Sequence, residues 1–151
     1  MIGLVVGGAE GWRDDIARLE DMIGGLWPGP VLACNDVGTE IEDLDHWCTL
    51  HSEKIVQWER RRVENGLPAR YETWSCSRRT PRVDHHWDEW TGGSSGLYAT
   101  AVALFRLGLP KVVLCGIRMD ATSNAFRPGK PWKAYDRYLR GWEQGMPQLQ
   151  G

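Results

Sequence analysis

The residues best suited to chemistry cluster in one stretch of this 151-residue chain. Thr91-Gly92-Gly93-Ser94-Ser95-Gly96 is a loop of small and hydroxyl-bearing residues directly ahead of an apolar helical run. A helix N-terminus exposes unpaired N–H groups and carries partial positive charge. Small residues there let an anionic or hydroxyl-rich ligand approach the backbone, and Ser94 and Ser95 add hydroxyls. A plain helix cap at Ser94 or Ser95 accounts for the same residues. The loop is neither a Walker motif, since no Gly-Lys-Ser/Thr follows, nor a dinucleotide fingerprint, since the G-x-G-x-x-G spacing is missing.

Further candidates lie where short apolar runs end. Gly7 and Gly8 follow the first run, Asn35 and Asp36 the second, and Gly116 and Asp120 close the run after the loop. Asn35 offers an amide donor and acceptor to a base or ribose, or makes an Asx turn ahead of Gly38. His51 and Lys54 flank a predicted helix start; His51 suits a general base and Lys54 a phosphate contact, with a simple cap as the alternative. His85 is the second candidate base. Asp84, His85, His86 and Asp88 hold metal-ligand chemistry, but adjacent histidines on a strand point to opposite faces, so no metal site is assigned. Asp43-Leu44-Asp45 matches D-x-D only formally, a triplet common by chance. Arg60-Arg61-Arg62 reads as a solvated face, or as a contact for phosphate or an acidic acceptor.

The elements that must position these residues alternate strand and helix. Residues 2–6 read as a strand, 7–11 as a glycine turn, and 12–23 as an amphipathic helix with Trp12, Ile16, Leu19 and Ile23 on one face. Strands are expected at 30–34 and 46–51, then a helix over 53–65 capped by Ser52 with Ile55, Trp58 and Arg62 on one face. Residues 67–81, with Pro68, Ser75, Ser77 and Pro81, form an irregular connection with room for a short strand at 71–74. A helix over 97–107 is stopped by Gly108 and Pro110. The run 111–117 is continuous and apolar, as suits the centre of a parallel sheet covered on both faces. A flexible lid is expected at 121–131, a last helix at 132–142, and a loose tail at 145–151. The sum is α/β: a three-layer Rossmann-like sandwich with a mostly parallel sheet, in a single domain over 1–144.

Ser94-Ser95-Gly96-Leu97-Tyr98-Ala99-Thr100-Ala101-Val102-Ala103-Leu104, then Leu107-Gly108 and Val112-Val113-Leu114-Cys115-Gly116-Ile117, resembles the core of the bacterial sialyltransferases. It is also similar to the hydroxymethylpterin diphosphokinase-like Rossmann proteins and to small phage and prophage proteins. The match covers about thirty residues. It implies a nucleotide pocket lined by Gly7, Gly8, Asn35, Ser94, Ser95, Gly96, Gly116 and Asp120, without a metal. The family's glycine turn reads G-N-G-P-S-L, whereas here Gly8, Ala9, Glu10 and Gly11 replace all but the first glycine. The family's catalytic histidine lies downstream of the last strand, whereas His46, His51, His85 and His86 all precede it.

A net charge of −2 points to no nucleic-acid or membrane surface. No apolar run has membrane-spanning length, which leads to the expectation of a soluble, cytoplasmic protein. The four cysteines show no C-x-x-C pairing, and no disulfide is expected. Nine tryptophans serve core packing or a stacking surface for a sugar or base. The functional expectation is a small glycosyltransferase-like enzyme whose substrate is a nucleotide or nucleotide-sugar donor, with no cofactor assigned and homo-oligomerisation left open. The alternatives are a non-catalytic nucleotide-binding or phage accessory protein, and an interaction module using exposed tryptophans and Arg60 to Arg62.

Overall fold

The computed structural model describes residues 1–76, 82–90 and 93–150. Ser77, Pro81, Thr91, Gly92 and Gly151 lie outside the described residues. Strands β1 (Ile2–Val6), β2 (Val31–Cys34), β3 (His46–Thr49), β4 (Glu72–Ser75), β5 (His85–His86) and β6 (Lys111–Cys115) form one sheet. Their spatial order is β5-β4-β3-β2-β1-β6, and every pairing is parallel. The helices are α1 (Trp12–Ile23), α2 (Ile55–Glu64), α3 (Ser95–Ala101) and α4 (Tyr135–Leu149).

Side chains alternate across the sheet, so each strand feeds two cores. Leu4, Val6, Ala33 and Trp47 meet Trp12 of α1 and Ile55 and Trp58 of α2 on one face. Val5, Leu32, Cys34 and Cys48 meet Tyr98, Ala99 and Ala101 of α3 on the other. The architecture is thus a three-layer α/β sandwich of Rossmann-like form. The chain steps outward from β1 to β5, then returns through α3 to place β6 on the far side of β1. This reversal creates a topological switch point between β1 and β6, where open α/β sheets bind ligands beyond the strands' carboxyl ends.

Several boundaries differ from the sequence reading. β6 is an edge strand with Leu114 40% exposed, not a doubly covered central one. Its apolar run is needed on only part of each face. β3 stops at Thr49, and β4 lies one residue later than expected. Ser52–Lys54 form a 3-10 turn before α2. α3 begins at Ser95 and widens into a π-helical turn over Val102–Arg106. α4 starts three residues late and continues to Leu149, through the stretch read as a tail. Its glycines are packing positions: a Cβ on Gly141 would lie 2.6 Å from the Gly93 α-carbon, and one on Gly145 would press on Leu97 and Trp90 at 3.3 Å.

Six of the tryptophans (Trp12, Trp47, Trp58, Trp74, Trp87 and Trp142) are buried, as packing requires. The four cysteines are free. Burial pushes the Cys34 thiol up to about 12 and Cys115 to about 11, making them inert packing groups. No helix among the described residues is long and apolar enough to cross a membrane.

Candidate functional site

A cleft opens at the switch point, with a cavity volume of about 140 Å³. That is room for roughly ten water-sized groups, enough to enclose part of a nucleotide but not the whole of a nucleotide sugar. Gly7, Gly8 and Ala9 form its wall after β1, Asn35 and Asp36 its wall after β2, and Ser94, Ser95 and Gly96 its wall at α3. Gly116, Ile117, Arg118 and Met119 close it after β6, with Thr122, Asn124 and Trp132 from the following loop.

Four polar side chains of this lining, Asn35, Ser94, Ser95 and Asn124, share one property. Each commits its side-chain acceptor to the protein and leaves a donor over. Asn35 Oδ1 accepts the Thr49 hydroxyl at 2.7 Å, and its carbonyl accepts Trp47 Nε1 at 2.6 Å. Its Nδ2 is thereby turned away from the sheet, since an amide carries its oxygen and nitrogen on opposite arms. The residue holds a left-handed backbone, φ 57°, a conformation that asparagine tolerates and that gathers at functional sites. Ser94 Oγ caps Leu97 N at 3.3 Å and accepts Trp142 Nε1 at 3.2 Å. Ser95 Oγ accepts Leu50 N at 3.2 Å. Among the described residues neither hydroxyl hydrogen has an acceptor. Asn124 Oδ1 accepts Phe126 N at 2.8 Å, while its Nδ2 lies against Gly8.

The cap reading of the serines is thus right for Ser94, and it leaves the donor reading intact. At Asn35 the side-chain oxygen takes the Thr49 hydroxyl in place of the alternative Asx turn.

Asp36 is the one carboxylate in the lining. Burial raises its pKa above the ordinary value, opposed by a bond from its own backbone and by the charges of Arg127, Lys54 and Arg61. Arg118, which the sequence reading did not select, lines the β6 wall. Its Nη2 donates to Asp15 Oδ1 at 2.8 Å, and Asp15 Oδ2 accepts Gly116 N at 2.9 Å. Asp15 sits on α1, 101 residues before Gly116, so no local pattern announces this link. Trp132 supplies an aromatic wall and stacks on Tyr138 at 4.9 Å.

Of the residues picked from sequence, Gly7, Gly8, Asn35, Asp36, Ser94, Ser95, Gly96 and Gly116 come together here. His51, His85, Lys54 and Asp120 are not in the lining. His51 follows the residue that bonds Ser95, but its side chain is 50% exposed and its Nδ1 lies 3.5 Å from Glu53. His85 is on β5, four strand spacings or about 19 Å from β1. There its Nε2 lies 2.9 Å from Glu72 Oε2 and its ring stacks on Trp74 at 4.1 Å. Asp120 caps its own turn, accepting Thr122 N at 2.8 Å. Glu10, unwelcome beside an anion, is exposed and outside the lining. Among the described residues no cluster of His, Cys, Asp and Glu has the arrangement of a metal site.

The loop after β6 is also tied down more firmly than a free lid. Asn124 bridges Ala9, Ala125 N donates to Gly8 O at 2.8 Å, and Glu10 N donates to Ser123 O at 2.8 Å. Compared with known proteins, the chain matches no family model, no curated protein and no solved structure.

Proposed function

We propose that the cleft binds a nucleotide-activated donor and that the protein transfers the activated group, in the manner of a small glycosyltransferase. The observation that supports this is the donor-lined pocket at the switch point, with one carboxylate on its wall. Asn35, Ser94, Ser95 and Asn124 offer donors to the oxygens of a phosphate, and the Trp132 ring offers a face to a base or sugar. Asp36 is the only pocket group able to accept a proton strongly, and it takes the role first sought in His51 and His85. An acceptor hydroxyl attacks the carbon that bears the nucleotide, its proton passes to the Asp36 carboxylate, and the bond to the nucleotide phosphate breaks. The phosphate leaves with its charge against the preorganised donors. The resemblance to the sialyltransferase core supports the same reading, without its downstream histidine.

The test is calorimetric binding of nucleotides and nucleotide sugars to the wild type and to Asn124→Asp. That substitution is isosteric, keeps the oxygen that Phe126 N needs, and replaces the pocket-facing donor with negative charge. Nucleotide binding lost in Asn124→Asp, with the fold retained, is the expected result. No nucleotide binding by the wild type overturns the reading. The absence of histidine from the lining favours a second reading, a nucleotide-binding protein without turnover. Tight binding with no release of nucleotide from any nucleotide sugar selects it.

A further inference from the structure

Arg60, Arg61 and Arg62 have three different fates. Arg62 is buried and its guanidinium donates to the carbonyls of Pro68, Gly38, Ile41 and Glu42 at 2.6 to 3.1 Å. Asn65 Nδ2 adds a bond to Thr39 O at 2.9 Å. Together they lock α2 against the 3-10 turn Asn35–Thr39 that carries Asp36. Lys54 ends the 3-10 turn that runs directly into α2, and Arg61 lies on α2 next to Arg62, so both belong to this locked segment. The loop after β6 adds Arg127, whose N donates to Asn124 O at 2.9 Å next to the bridge to Ala9. Three separate elements therefore bring Lys54, Arg61 and Arg127 within electrostatic reach of Asp36. Against one carboxylate, these three cations leave a clear positive excess at this end of the cleft.

None of the three has an ion-pair partner among the described residues, whereas Arg13 pairs with Glu40 and Arg118 with Asp15. Like charges converging on one rim repel, and an anion seated between them relieves that. The rim also lies beside the group proposed to receive the acceptor's proton.

We propose that Lys54, Arg61 and Arg127 form an anion subsite that seats the carboxylate or phosphate of an acidic acceptor, its hydroxyl directed at Asp36. The subsite is distinct from the donor set of Asn124 and the serines. The assignment to an acceptor rests on the transferase reading above; the subsite itself does not.

The experiment titrates inorganic phosphate into the protein at low ionic strength, alone and saturated with cytidine 5′-monophosphate. The comparison is Lys54→Glu/Arg61→Glu, at positions exposed enough to leave the fold intact, as circular dichroism checks. Phosphate is expected to bind in both conditions, and at least about tenfold more weakly in the double variant, while the nucleotide binds both proteins alike. Displacement of phosphate by the nucleotide means that the rim holds the nucleotide's own phosphate, and overturns the separate subsite. Equal phosphate binding by the two proteins overturns it as well. If the nucleotide does not bind but phosphate binding still depends on Lys54 and Arg61, the donor reading falls and the anion subsite stands.

Discussion

Gly7 and Gly116 face each other across the exits of β1 and β6, and a Cβ on Gly7 would lie 2.6 Å from the Gly116 carbonyl oxygen. A Cβ on Gly116 would come closer still to the Gly7 carbonyl, and Gly116 also holds φ 63°. Gly7 N donates to Cys115 O at 2.8 Å and Ala9 N to Gly116 O at 3.0 Å, which fastens the two exits together at the floor of the cleft. Gly116→Ala therefore carries both a left-handed backbone penalty and a backbone clash. It should lose about 3 kcal/mol in urea unfolding. Gly129→Ala, at φ 73° with nothing within 4 Å of the added Cβ, carries the first penalty alone and should lose about 1 kcal/mol. Equal losses would show that the crossing is not tight.

Arg62 does its work inside the protein. It is 1% exposed, and its four carbonyl acceptors come from two loops. Arg62→Met keeps much of the stem but orphans those carbonyls, and should destabilise by about 3 kcal/mol. Arg60→Ala, on the exposed side of α2, should stay within about 0.5 kcal/mol. Because Arg62 holds the turn of Asp36, its loss should also weaken any ligand of the cleft, read by calorimetry below the unfolding temperature.

How far the chain could be read in advance follows from the range of each signal. The order of strands and helices, apart from the two-residue β5, and the glycine-serine wall were legible, because periodicity and small-residue loops are local. The same holds for the gathering of Gly7, Asn35, Ser95 and Gly116. Arg62 was misread because a charge run looks alike whether it is solvated or buried under distant carbonyls. Arg118 was missed because its partner Asp15 lies across the fold. His85 drew attention by residue type, yet strand order places it at the far edge of the sheet. The stretch from Gly145 was read as a loose tail because the surface that Gly145 presses on, at Leu97 and Trp90, is about fifty residues away in sequence.

His46 gives a pH signature remote from the cleft. Its Nδ1 accepts Trp74 Nε1 at 3.3 Å, which requires the neutral ring. Burial lowers its pKa below 6.5, and His85 adds to this, while Glu72 and Asp45 oppose it. The unfolded chain therefore takes up the proton first as pH falls. The stability from this residue is complete above 6.5 and is lost as pH drops from there through the folded value. His46→Gln, which has no proton to gain, should show a flatter decline in melting temperature between about pH 6.5 and pH 5. Parallel profiles would place the pH sensitivity elsewhere.

Asp36 tests the cleft most directly, because its stability effect and its proposed role pull in opposite directions. Burial is the largest influence on its carboxyl and raises the pKa above 3.8, even with Arg127, Lys54 and Arg61 nearby. The folded state therefore binds this proton more tightly than the unfolded chain does. Stability from the group falls as pH rises from 3.8 through the folded value, and the ionised carboxylate stays a net liability at neutral pH. Asp36→Asn removes that liability while keeping the shape, so its melting temperature at pH 7 should exceed that of the wild type. The gap should close as pH falls through the folded value toward the ordinary 3.8, below which the carboxyl is protonated in both states. If the carboxylate takes the acceptor's proton, the same variant should bind nucleotide normally and lose group transfer by about a hundredfold or more. A variant that is more stable, binds nucleotide and still transfers would acquit Asp36 of catalysis. One less stable at pH 7 would mean that the surrounding cations, rather than burial, set the balance at this wall.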